Sequence, residues 1–284
     1  MADIKLEVLA EGFVFLEGPR WHDGRLWFSD MWGHMIHAMT EDGVVSDIAT
    51  VPNRPSGLSF LPDGSLVTVS MADRKLLKVG ADGGLSEYAD LSALAPVDIN
   101  DTVTDTAGNI YVGHFGFDLM NNAEPKLASL IMVRPDGRAR VAAPDMNFPN
   151  GTVISGDGRT LICAETFGHV LTAFDRAADG SLSNRRVWAE LGEGTPDGIC
   201  LDQEGAIWVS SFMSGEFLRI EEGGRVTQRI AVPDKRAVAC NLGGGDGRTL
   251  YCLTYEGAIE EVASGARNAR IEVCRVAVAS AGSP

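Results

Sequence analysis

The sequence predicts an all-β protein, a six-bladed β-propeller with four-stranded antiparallel blades, closed by strands from the N- and C-terminal ends sharing one blade. Three observations predict it. First, residues 195–209 (TPDGICLDQEGAIWV) read as a carboxylate, a short apolar strand, a tight acid-and-glycine turn and a second apolar strand. Second, the same pattern recurs six times, with turn glycines at 24, 64, 108, 158, 205 and 247, spaced 40, 44, 50, 47 and 42 apart. A period of that length with several short strands per copy is the pattern of propeller blades. Third, no stretch of a dozen residues keeps helical i, i+3, i+4 apolar spacing without an intervening Gly or Pro.

The elements follow in order. Residues 4–9 (IKLEVL) alternate loosely and form a strand ahead of the first copy, and residues 269–276 (ARIEVCRV) alternate after the sixth copy has begun. A ring closes without a free seam when these two segments join one blade. Copy two shows the blade in full: strands over 57–61, 66–70, 75–79 and 85–89, separated by Pro62-Asp63-Gly64, Met71-Ala72-Asp73 and Ala81-Asp82-Gly83-Gly84. Copy three is the longest because residues 115–128 interrupt it, and such insertions sit in loops that shape a binding mouth. The tail 277–284 is small and polar and is expected to fray. The repeats run almost end to end, so residues 1–284 are read as a single propeller domain.

Composition excludes several classes. With 24 Lys and Arg against 39 Asp and Glu the net charge is −15, which repels nucleic acid and anionic membrane. Apolar runs stay below the roughly 18–20 residues needed to cross a bilayer, and the first residues lack a basic flank followed by an apolar run, so a cytoplasmic location is expected. The five cysteines sit in or beside apolar segments without a C-x-x-C pair and read as buried free thiols. There is no G-x-S-x-G elbow, no dinucleotide fingerprint between a strand and a helix, and no histidine at motif spacing from Cys163.

The chemistry lies where each first strand opens. Counting eight residues back from the turn glycines gives Ser56, Asn100, Asn150 and Asp197; seven back in the shorter first copy gives Glu17, and the sixth copy offers Cys240 or Asn241. First strands line a propeller's channel, so these places converge at one end of the axis. Glu17, Asn100, Asn150 and Asp197 supply only oxygen donors, with a summed charge of −2 that offsets one divalent cation; calcium is the first expectation, with magnesium, manganese and zinc also accommodated. Asn and Asp before Gly also serve simply as turn formers, but four oxygen donors at matched phase are harder to explain that way. His114, Phe115, Ser56 and Asp98 are expected around the substrate, along with residues 165–167 and 211–213 at the ends of second strands. His34 and His37, three apart in a turn entering a strand, lack the helical placement a zinc pair needs. Trp21, Trp27, Trp188 and Trp208 read as packing residues.

Over almost its whole length the chain resembles the senescence-marker-protein/gluconolactonase (regucalcin-like) family of six-bladed propellers. The motifs that carry the resemblance are Leu16-Glu17-Gly18-Pro19, residues 100–105 (NDTVTD), Pro149-Asn150-Gly151 and Pro196-Asp197-Gly198. The resemblance implies that Glu17, Asn150 and Asp197 bind the metal and that Asn100 contacts the metal, its water or the substrate. Lactonases of the family often carry an arginine two residues before that asparagine, where this chain has Asp98. An acid there points to a neutral or less oxygenated ring.

Together these observations predict a divalent-metal-dependent lactonase, with Asp197 as the base that takes a proton from the attacking water. The expected partner is a small-molecule lactone, handled by a monomer or small homo-oligomer. Phosphotriester hydrolysis of the fluorophosphatase type at the same metal, and a non-catalytic calcium- or ligand-binding propeller, are the alternatives.

Overall fold

A computed structural model describes residues 4–283. Six four-stranded antiparallel sheets surround a central channel. Their innermost strands are Leu16–His22, Pro55–Phe60, Ile99–Thr104, Pro149–Ile154, Pro196–Leu201 and Lys235–Gly243, which open blades one to six. In blades one to five the strands run from channel to rim in chain order. Blade six is completed from the other end of the chain: Glu7–Phe13 pairs antiparallel with Ala269–Arg275 as its outermost strand. The predicted closure is therefore present, with the N-terminal strand beginning at Glu7 rather than at Ile4.

Copy two folds as read, with strands Pro55–Phe60, Leu66–Ser70, Lys75–Val79 and Leu85–Asp90. Its alternation is weakest in the inner strand, where every residue but the last is buried because both faces meet neighbouring blades. The core accordingly lies between blades. Val153, Ile162, Trp188, Ile199 and Val209 fill the join of blades four and five, and Trp208 with Cys200, Cys240, Cys252 and Cys274 fills the next. All five cysteines are free and buried, as expected. Trp21 stacks on Tyr251 at 5.5 Å, which joins blade one to blade six.

Each first strand starts at one end of the channel and each second strand returns to it, so the connections between second and third strands surround that mouth. Two of them are long. Residues 115–127 carry the short 3-10 turn Leu119–Asn121, and the corresponding segment of blade six carries Ile259–Ser264, which the sequence pattern did not reveal.

The tail does not fray. Residues 276–283 run along the opposite end of the ring: Ser280 N–H donates to Gly247 O (2.8 Å), Gln203 N–H to Ala279 O (2.9 Å), Ala281 N–H to Leu201 O (3.0 Å) and Leu201 N–H to Ser283 O (3.1 Å). Its small, polar side chains are uninformative because the backbone makes the bonds; Pro284 lies outside the described residues. Among the described residues no helix is long and apolar enough to cross a membrane.

Candidate metal centre

All six inner strands carry a register irregularity at the same place, between Glu17 and Arg20, Pro55 and Leu58, Ile99 and Thr102, Pro149 and Thr152, Pro196 and Ile199, and Ala237 and Ala239. A bulge turns a side chain that the pleat would otherwise send into the blade. Here it does so at Glu17, Ser56, Asn100, Asn150 and Asp197. In blade six the matched residue is Val238, not Cys240 or Asn241 as counting from Gly247 suggested, because the strand runs on through Gly243 before turning. The ring of matched positions is thus five polar residues and one valine.

The residue after each ring position lets the strands draw together. A Cβ on Gly18, which sits at φ +55°, would lie 2.7 Å from Ser56 O, and one on Gly151 would lie 2.6 Å from Asp197 O. Only in blade three does a large residue, Asp101, take this place. Its Oδ1 accepts from Arg20 Nη2 at 2.8 Å, deeper in the channel. At the entry to blade one, Asp30 accepts from the backbone N–H groups of Val14 (3.0 Å) and Phe15 (2.9 Å) and so fixes the approach to Glu17.

Glu17, Asn100, Asn150 and Asp197 are all buried. Burial is the main force pushing the Glu17 carboxyl well above its ordinary range, with the charges of Asp197 and Asp101 adding to it. The Asp197 carboxyl is also raised, first by burial and then by Asp101, against a hydrogen bond from Asn150. Two acids from blades one and five therefore feel each other in a nearly dry channel.

The amide of Asn150 is oriented by its neighbours. Thr166 Oγ1 donates to Pro196 O (2.7 Å), which leaves the hydroxyl as an acceptor for Asn150 Nδ2 (3.2 Å). Asn150 Oδ1 is left without a hydrogen-bond partner among the described residues, and so is Asp197 Oδ1. Buried oxygens without donors are costly, and two in one ring are what a hard cation would satisfy. Among the described residues no three His, Cys, Asp or Glu side chains are grouped to hold a metal, so a cation here depends on the asparagine oxygens. Asn100 Oδ1 is reached by Ser56 Oγ at 3.4 Å.

The other expected residues are placed as follows. Asp98, two positions above Asn100, pairs with Arg54 (Nη2 to Oδ2, 2.6 Å), and Arg54 lies over Trp32 at 5.0 Å. Phe115 stacks on Phe148 at 4.5 Å. His114 is buried with both ring nitrogens engaged: Gly116 N–H donates to Nδ1 (3.1 Å), and Nε2 meets Ser129 Oγ at 3.1 Å. Burial lowers its pKa to about 4, so it stands as a neutral wall residue. His37 pairs with Asp47 (2.9 Å). Arg54 escaped the sequence reading, although it stands two residues before Ser56 just as Asp98 stands two before Asn100.

Fold and ring define a class, the six-bladed propellers with a polar, acid-containing channel mouth. Residues 15–256 match the model described as SMP-30/Gluconolactonase/LRE-like region, and the chain belongs to that family. It is 28% identical over 268 residues to regucalcin of Danio rerio (88% of this chain, 86% of the relative). It is 26% identical over 250 residues to 6-deoxy-6-sulfogluconolactonase of Pseudomonas putida (86% and 84%). Among solved structures, a calcium-binding protein, regucalcin, from Agrobacterium tumefaciens superposes with a TM-score of 0.83 at 22% identity, covering 99% of this chain and 97% of that one.

Proposed function

We propose that the protein is a divalent-cation-dependent lactonase. The observation that carries this reading is the pair of unpartnered buried oxygens, Asn150 Oδ1 and Asp197 Oδ1, in a ring that also holds Glu17. The names of the relatives, a sulfogluconolactonase among them, support a cyclic ester as substrate.

Glu17, Asn150 and Asp197 would hold the cation, with Asn100 beside them, and when bound it would supply Lewis-acid polarisation of the ester carbonyl. Asp197 takes the proton of the water whose oxygen bonds to the carbonyl carbon. As the ring C–O bond breaks, that proton passes to the leaving ring oxygen, so the product is an open hydroxy acid. Asn150 keeps its oxygen turned into the channel because Thr166 holds its nitrogen. Phe115, stacked on Phe148, lines the cleft beside Asp98 and would offer the substrate an apolar surface.

The test is hydrolysis of a lactone panel by the parent, by the chelated parent and by Asn150→Ala and Asp197→Ala variants. Loss of turnover in all three altered samples is expected. Parental rates in either variant would overturn the assignment.

A further inference from the structure

The large apolar side chains that solvent reaches are sorted by place. Val8, Val44, Val141, Val187 and Val226 lie on or next to outermost strands, at the rim of the propeller. Met120, Leu127, Phe167, Met213 and Ile259 all lie in the connections between second and third strands of blades three to six, around the mouth that holds Glu17, Asn150 and Asp197. Among the described residues blades one and two add none there.

At blade four this apolar surface is built with care for position. Phe148, two residues before Asn150, sits at φ +61°, a left-handed conformation that a bulky side chain adopts only at a cost. The surroundings hold it there. Thr166 N–H donates to Phe148 O (3.1 Å), and the preceding Asn147 N–H donates to the buried carboxylate of Glu165. Arg185 closes the latch, with Nη2 on Glu165 Oε1 (2.8 Å) and Nη1 on Asp145 O (2.9 Å). The Phe148 side chain then stacks on Phe115 at 4.5 Å and meets Phe167 edge-on at 4.9 Å, and Phe117 lies 6.0 Å from Phe167. Phe115, Phe117 and Phe148 are buried, but Phe167 stays 40% exposed. Phe167 also follows Thr166, the residue that holds the Asn150 amide, so a molecule bound at Asn150 has Phe167 for a neighbour.

The cleft beside this wall holds about 320 Å³, and blade three lines it with Phe115, Phe117, Leu119 and Met120, blade two with Arg54 and Arg74. Arg54 Nη1 and Arg74 Nε are buried donors without partners among the described residues. Those donors suit oxygen acceptors, whereas the phenylalanine side suits carbon, and an aromatic face packs well on another aromatic group.

A strained aromatic residue latched in place beside an exposed one is a surface kept for a ligand. We propose that Phe167, with Phe148 and Phe117 behind it, binds an aryl or alkyl substituent carried on the lactone, and that Glu165 and Arg185 are positioning residues that hold Phe148. The net charge of −15 disfavours an anionic bilayer as the occupant. The bond from Asn150 to Thr166 ties the wall to the reacting centre instead. This rests on the lactonase reading for the reacting group, but the subsite itself is a binding property and is measurable without turnover.

The experiment compares an unsubstituted six-membered lactone, the same ring bearing a phenyl group, and a polyhydroxylated ring. They are assayed with the parent, Phe167→Ser and Arg185→Met. The parent is expected to favour the phenyl lactone at least about ten-fold in kcat/KM over either other. Phe167→Ser, a change at an exposed position that leaves the packed phenylalanines in place, should lose about five- to thirty-fold on the phenyl lactone and at least about five-fold less on the unsubstituted one. Arg185→Met should raise KM for the phenyl lactone more than it lowers kcat.

Calorimetric binding of a phenyl-substituted cyclic ether, which carries the substituent but no ester, supplies the second readout. Weaker binding by Phe167→Ser is expected. If no lactone is hydrolysed yet the ether still distinguishes parent from Phe167→Ser, the lactonase reading falls and the subsite stands. If the ether binds both alike, if the parent prefers the polyhydroxylated lactone, or if Phe167→Ser slows all three lactones equally, the subsite is overturned. An equal loss of kcat on every lactone in Arg185→Met would overturn the positioning role.

Discussion

Arg20 Nη2 lies 2.8 Å from Asp101 Oδ1, with both side chains almost wholly buried, one coming from blade one and the other from blade three. The Asp101 charge acts on both Glu17 and Asp197, and Arg20 also donates to the carbonyl of Thr102. Removing the cation alone leaves a buried anion acting on two more. Arg20→Met is therefore expected to cost about 3–5 kcal/mol in urea unfolding, and adding Asp101→Asn should restore most of the loss.

Glu17 and Asp197 oppose one another when no cation is present. Asp197→Asn should leave the metal-free protein at least as stable as the parent while abolishing its response to calcium. For the parent, calcium at a hundred times its dissociation constant should add about 2.7 kcal/mol, seen as a rise in Tm that a chelator reverses. Lactone turnover in Asp197→Asn should fall by roughly 10²–10⁴-fold.

Thr166 fixes which end of the Asn150 amide faces the channel. Thr166→Val keeps the shape and removes the acceptor, so the amide is free to turn. Cation affinity, measured by calorimetry, should drop about 10- to 100-fold, with little change in Tm of the metal-free protein.

His114 has a folded pKa of about 4, well below the ordinary histidine value, because it is buried. The unfolded chain binds a proton there as pH falls below about 6.5, whereas the folded chain does not until near 4. Its contribution is thus complete above about pH 6.5 and is lost as pH falls toward 4. Between pH 7.5 and pH 5 the parent should lose roughly 2 kcal/mol more than a His114→Gln variant in paired urea titrations.

What the sequence made legible follows from where the repeat is regular. Asp-Gly turns and apolar runs marked the blades, and matched counting reached Glu17, Ser56, Asn100, Asn150 and Asp197 because those turns have nearly equal length. Blade six broke the count at Val238 because its inner strand, Lys235–Gly243, is longer and its turn glycines fall later. The bond of Arg54 to Asp98 joins residues 44 apart, and only the lateral packing of two inner strands brings them together. The docking of residues 276–283 was hidden for another reason: it is made by main-chain groups, which leave no trace in side-chain composition.

The outermost strand of blade six, Glu7–Phe13, precedes blades one to five in the chain, and its partner Ala269–Arg275 follows them. Five blades are built from consecutive strands, but the circle stays open until Glu7–Phe13 finds Ala269–Arg275. Such distant pairing is slow to form. The waiting edge of Glu7–Phe13 is then the segment most in need of protection from strands of other molecules, and its charged Glu7 and Glu11 suit it to that interval.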